Sequence, residues 1–171
     1  MHRYKTWNGP MPTTAAQQSV TTGTAIKTML QLATPSTRQI QLISWGYSLD
    51  DPAGADGVIE LLQTDVAATV TAHVVSGVQS LDPNAPASLL TLGVNATGYT
   101  ATVEGATAAA RVFDAVSLAG TSSPEAGATV SYFYQWMPDE RPIVAVSRFL
   151  RIRATTPTTA ADMRCWVCWD E

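Results

Sequence analysis

From Thr24 onward the chain alternates between apolar and polar positions with a period of two. Ile26, Thr28, Leu30 and Leu32 fall on one side, and Lys27, Met29 and Gln31 on the other. Successive side chains of a strand point to opposite faces, so this run predicts a strand with one face toward a core. Pro35-Ser36 marks a turn. Arg38 to Tyr47 predicts a second strand, with Ile40 and Leu42 set against Gln39, Gln41, Ile43 and Trp45. The turn formers of Asp50 to Gly57 precede a short strand over Val58 to Gln63. Asp65 to Val78 mixes a helix-like start, Asp65 and Ala67-Ala68, with the β-branched Thr69, Val70, Thr71, Val74 and Val75. It reads as a short helix or turn leading into a strand.

Breakers then place loops at Leu81 to Pro86 and at Gly93 to Gly98. Tyr99, Ala101 and Val103 alternate with Thr100, Thr102 and Glu104, and another strand follows Gly105 and ends in Arg111 to Val116. Gly120 to Gly127 reads as a flexible loop, and Val130 to Trp136 as an aromatic strand stopped by Met137 to Pro142. Over Ser147 to Thr155, Leu150, Ile152 and Ala154 face one way and Phe149, Arg151 and Arg153 the other. The last strand sets Met163, Cys165, Val167 and Trp169 against Arg164, Trp166 and Cys168. With two tryptophans so close to the end of the sequence, it is expected at the centre of a sheet. Eight or nine short strands between Gly and Pro loops predict an all-β fold, a jelly-roll-like antiparallel β-sandwich. Residues 1–23 show no sustained apolar period and read as an extended N-terminal arm, with residues 24–171 as a single β-sandwich domain.

Composition narrows the function. Only 14% of the 171 residues are charged, against roughly 25% in ordinary globular proteins, so much of the surface is neutral or covered by neighbouring copies. The net charge of −4, without a Lys/Arg cluster, gives no footprint for nucleic acid. No run approaches the roughly 20 apolar residues of a membrane span, and no secretory signal can be drawn at Met1 to Pro10. The expectation is a soluble homo-oligomer, most simply a trimer.

Candidate chemistry is sparse. His73 is the one histidine outside the arm; Ser76 or Asp65 could complete a triad with it, but no Gly-x-Ser-x-Gly surrounds any serine. Asp50, Asp51 and Asp56 form an acidic turn without the spacing of a calcium loop. Cys165 and Cys168, three residues apart on a strand, lie about 10 Å from each other on opposite faces, beyond disulfide reach. They read as free thiols, and no cofactor or metal site is expected. Glu60 and Glu104 sit in apolar strands, where Arg111, Arg151 and Arg153 are available as structural ion-pair partners. Five tryptophans, Trp7, Trp45, Trp136, Trp166 and Trp169, supply either core and interface packing or a sugar-stacking row. Tyr4, Trp7, Met11, Trp45 and Trp136 are the expected contacts to a second subunit or another partner surface, with Trp7 as the anchor of the arm.

At Ile43-Ser44-Trp45-Gly46-Tyr47-Ser48, Glu60 to Asp65, Gly98-Tyr99-Thr100, Arg111-Val112-Phe113-Asp114 and Arg148 to Arg153, the chain resembles a family of small proteins encoded in the structural-gene regions of tailed bacteriophages. The similarity covers most of residues 24–171. It implies a non-catalytic capsid decoration or auxiliary head protein, jelly-roll-like and typically trimeric. Such a protein sits on the virion surface, binds the major capsid protein and stabilises the shell. It transfers no catalytic residue. A carbohydrate-binding or host-recognition module is the alternative, and an enzyme on a cupin-like scaffold is disfavoured by the shortage of histidines.

Overall fold

A computed structural model describes residues 2–118, 120, 130–157 and 159–171. Within them lie thirteen strands: β1 (Arg3–Trp7), β2 (Val20–Thr21), β3 (Lys27–Ala33), β4 (Ile40–Leu49), β5 (Gly57–Thr64), β6 (Thr69–Ala72), β7 (Val78–Ser80), β8 (Gly98–Val103), β9 (Arg111–Leu118), β10 (Ser131–Gln135), β11 (Ile143–Val144), β12 (Phe149–Thr155) and β13 (Asp162–Asp170). Every named strand pair is antiparallel. One sheet runs β10-β4-β13-β1-β7, with β11 also on β4 and β2 also on β13; the other runs β6-β8-β3-β12-β5-β9. The two pack face to face as a β-sandwich.

The core is made of the inward positions of both sheets. Leu42, Trp45, Tyr47, Cys165, Val167 and Trp169 come from the first sheet, and Leu30, Leu32, Ile59, Leu61, Leu150 and Ile152 from the second. As expected for a strand carrying two tryptophans, β13 is central, paired to β4 on one side and to β1 on the other.

Two bulges change which residues face inward. The register of β13 on β4 passes from Cys168↔Ser44 to Trp169↔Leu42, which leaves Ile43 over. Trp45 therefore turns into the core beside Leu42 instead of lying with Gln41. On β3 the register with β12 passes from Leu30↔Ile152 to Thr28↔Arg153. Met29 joins the core, and Thr28 turns outward to Glu104, donating both its backbone N–H and its hydroxyl to that carboxylate. Strict alternation read from the sequence misses such one-residue slips.

The arm expected over residues 1–23 is corrected. Arg3–Trp7 is a strand inside the seven-stranded sheet, and Tyr4 and Thr6 are buried. Asn8, also buried, donates to Met163 O at 2.9 Å and accepts from Cys165 N at 2.9 Å. The alternation is present, with Tyr4 and Thr6 inward and Arg3, Lys5 and Trp7 outward. It escapes notice because only one inward residue is apolar. Asp65 to Val78 contains no α-helix; it forms β6, a 3-10 turn over Val75–Gly77 and the start of β7. Apart from Gly120, the loop expected over Gly120 to Gly127 lies outside the described residues.

Candidate functional site

Each sheet has an outer face, and the two differ. Over the β3-β12-β5 face of the six-stranded sheet, irregular segments are tied down by long polar side chains. Arg151, fully buried, donates to the carbonyls of Val66, Glu104 and Ala106 and stands 3.7 Å from the Glu104 carboxylate. Arg153 donates from Nε and Nη2 to Glu60 at 3.0 and 2.9 Å and from Nη1 to the carbonyl of Thr107. Gln31 donates to Ala68 O and Ala96 O and accepts from Ala68 N. The Glu60–Arg153 and Glu104–Arg151 pairs thus close this face. Among the described residues Arg111 forms no such pair: it donates to Ile143 O at 2.7 Å and lies over the Phe113 ring.

The outer face of the seven-stranded sheet carries a row of aromatic rings. Trp7 pairs with Trp166, Trp166 with Gly46, and Gly46 with Phe133, so four strands contribute one line of positions across the sheet. Gly46 makes the line continuous, because a Cβ there would lie 2.5 Å from the Trp166 ring. Trp166 therefore leans over β4 toward Phe133. Its other side meets Trp7, ring centroids 5.0 Å apart, with the Lys5 ammonium 4.4 Å from the Trp7 centroid and 5.3 Å from that of Trp166. Trp7 and Trp166 are half-buried and Phe133 is 58% exposed. The neighbouring rows are polar: Lys5, Cys168, Ser44 and Gln135 on one side, and Arg164, Ser48 and Ser131 on the other.

At the margin of the sandwich β9 ends one sheet and β10 and β11 border the other. Asp114 of β9 joins them, its Oδ2 accepting Trp45 Nε1–H at 3.0 Å and Tyr132 O–H at 2.8 Å. The Tyr47, Trp45 and Tyr132 rings pack around it with centroids 5.4–6.0 Å apart. Burial, and then the Asp114 charge, push the Tyr47 and Tyr132 phenols up to about 12. Outside this cluster the margin is apolar and exposed: Val112 is 54% exposed, Tyr134 41% and Met137 67%, with Ile143 alongside.

These positions correct the expected contact residues. Tyr4, Trp45 and Trp136 are buried within the chain, with Tyr4 stacked on Trp169 and Trp136 against Tyr134, so they present no side chain to a neighbour. Trp7 and Met11 remain half-exposed, Met11 at the Gln79 amide. Strand register alone brings Phe133, Gly46 and Trp166 together, and packing of the two sheets brings Asp114 to Trp45 and Tyr132, so neither group is legible along the sequence. The visible signal was Gly46, a glycine inside a strand between two aromatics.

The remaining candidates are engaged structurally. His73 is buried, its Nε2 2.9 Å from Trp7 O and 3.2 Å from Thr6 Oγ1, and burial lowers its pKa. Among the described residues its hydrogen-bond partners are Thr6 and Trp7 rather than Ser76, and Asp65 pairs with Arg148. Asp50 accepts from Ser19 and Arg164, and its pKa is lowered first by the Ser19 hydrogen bond. Cys165 and Cys168 are free, buried thiols whose pKa values burial raises. Among the described residues no three His, Cys, Asp or Glu side chains converge as a metal site. Among the described residues no helix is long and apolar enough to cross a membrane. In comparisons with known proteins, the chain matches no family model, no curated protein and no solved structure.

Proposed function

We propose that the chain is a non-catalytic virion structural protein, a capsid decoration or auxiliary head protein that assembles as a homotrimer on the shell and stabilises it. The observation that carries this reading is the exposed apolar β9–β10–β11 margin. There β9, β10 and β11, each bonded to a single neighbouring strand among the described residues, coincide with exposed Val112, Tyr134, Met137 and Ile143. An open strand edge flanked by apolar side chains is a template for pairing with another chain. Exposed apolar surface of this kind marks an association site.

A second copy is the favoured occupant, because a chain with 14% charged residues has little charge with which to keep copies apart. The resemblance to tailed-phage structural proteins supplies the virion context and the trimer. The test is the particle itself. Virions of the encoding phage, banded on a density gradient, carry the chain in fixed proportion to the major capsid protein if the reading is right. Particles that lack it overturn the reading.

A further inference from the structure

We propose that the Trp7–Trp166–Phe133 row is a binding strip for a neutral glycan chain, on the outer face of the seven-stranded sheet, meeting the assembly margin only at β10 and independent of the virion reading.

The geometry of the strip argues for it. Three rings lie on one line perpendicular to the strands, with Gly46 as the gap that lets the Trp166 ring bridge β13 and β4. Neighbouring strands are about 4.8 Å apart, so the line from Trp7 to Phe133 spans about 14 Å, room for several sugar rings laid end to end. A pyranose offers C–H bonds on its faces and hydroxyls around its rim. A ring strip one residue wide receives the faces, and polar rows on both sides receive the hydroxyls.

The flanks match that chemistry. Ser131 and Gln135 are exposed on β10, and Ser48 is half-exposed on β4, all neutral groups that both donate and accept. A protein interface of useful strength has a wide apolar centre surrounded by a polar rim. Here the polar rows begin one residue from the rings, which leaves no such centre.

The charges select among glycans. Arg164 is held by Asp50 and by Gln17 O, and Lys5 lies over the tryptophans. Arg164 is neutralised by Asp50, and the flanking groups Ser131, Gln135 and Ser48 are neutral. The chain carries a net charge of −4, so the strip suits an uncharged chain, with the Lys5 ammonium serving as a hydrogen-bond donor. Lys5 then points an N–H at a ring hydroxyl of the bound sugar.

The experiment is native affinity electrophoresis of the full chain in gels containing one neutral polysaccharide each: hydroxyethylcellulose, laminarin, xylan, galactomannan and dextran. At least one gel is expected to retard the wild type. Phe133→Ala, at an exposed site that does not disturb the fold, is expected to weaken the apparent affinity about tenfold. Phe133→Tyr restores it, and Trp166→Ala, if folded, abolishes it.

Met137→Asp on the margin is expected to leave retardation unchanged, which keeps the strip separate from assembly. Mobility unaffected by all five polysaccharides overturns the proposal, as does retardation that Phe133→Ala leaves intact. If Phe133→Ala instead lowers the mass measured by sedimentation, the row is part of a protein interface and the glycan assignment fails.

Discussion

Replacing Asp114 by alanine leaves Trp45 Nε1–H, buried, and Tyr132 O–H, half-buried, without their shared acceptor. A hydrogen bond to a charged group contributes about 1.5–3 kcal/mol, and Asp114 is only half-buried, so a loss of about 2–4 kcal/mol is expected. Asp114→Asn, which keeps one acceptor, should cost about half as much. Urea unfolding with an unchanged m-value measures both. A loss of under about 0.5 kcal/mol for the alanine variant would mean that β9 is not held through this carboxylate. Absorbance titration gives a second readout, because the Tyr132 phenol, raised to about 12 first by burial and then by Asp114, should fall once the carboxylate is gone while burial still holds it up.

His73 makes the fold sensitive to mild acid. Burial lowers its folded pKa below the ordinary value of about 6.5, so the unfolded chain takes up a proton that the folded chain refuses. Stability is therefore full above about pH 6.5, falls as the pH drops toward the folded pKa, and levels off below it. His73→Gln, which keeps a donor for Trp7 O, should lose less stability than the wild type between pH 7 and about pH 5. Parallel pH profiles of the two proteins would remove this role from His73.

At the level of elements, β1 is the clearest case of structure hidden in a pattern. Its inward residues are Tyr4 and Thr6, and Asn8 continues the burial by bonding to the backbone of β13. A purely apolar period cannot report a strand whose inward face is largely polar. Deleting residues 2–9 opens both β13 and β7. The expected cost exceeds the roughly 3–5 kcal/mol of truncating a single buried aromatic. Thermal melts followed by circular dichroism test this, and an unchanged midpoint would return the segment to the status of an arm. Strands β12 and β13 were legible because each alternates large apolar residues over seven to nine positions, and β5 because a short run rich in Val, Ile and Leu follows a dense turn. The two-residue strands β2 and β11 carry no period to read, and the bulges at Met29 and Ile43 appear only once partner strands fix the register.

The thiols give β13 its own test. Cys165 is fully buried and Cys168 nearly so, and burial raises both pKa values, so neither forms much thiolate in the folded state. Alkylation by iodoacetamide at pH 8 should proceed only as fast as the sheet opens and become complete in denaturant. Rapid native labelling of either cysteine, or a Cys165–Cys168 disulfide found by mass spectrometry, would contradict the strand geometry.

For the whole molecule, the number and spacing of strands were enough to expect a β-sandwich, while the order of strands was not accessible, since most neighbours are distant in sequence. β1 lies beside β13 and β3 beside β12, pairings that local pattern does not encode. The aromatic row is legible only with that order in hand, because Trp7, Gly46, Phe133 and Trp166 are scattered along the chain. The apolar margin was foreshadowed only by composition, and the residues first expected there, Tyr4, Trp45 and Trp136, proved to be core.

Association through that margin is measured most directly by sedimentation equilibrium of the full chain at micromolar concentration. The expected mass is three times the 18.2 kDa of one chain, falling to a single chain when Val112 and Met137 are both replaced by Asp. A wild type that stays at 18.2 kDa throughout, or a trimer that the double substitution leaves intact, would contradict assembly through the β9–β10–β11 margin.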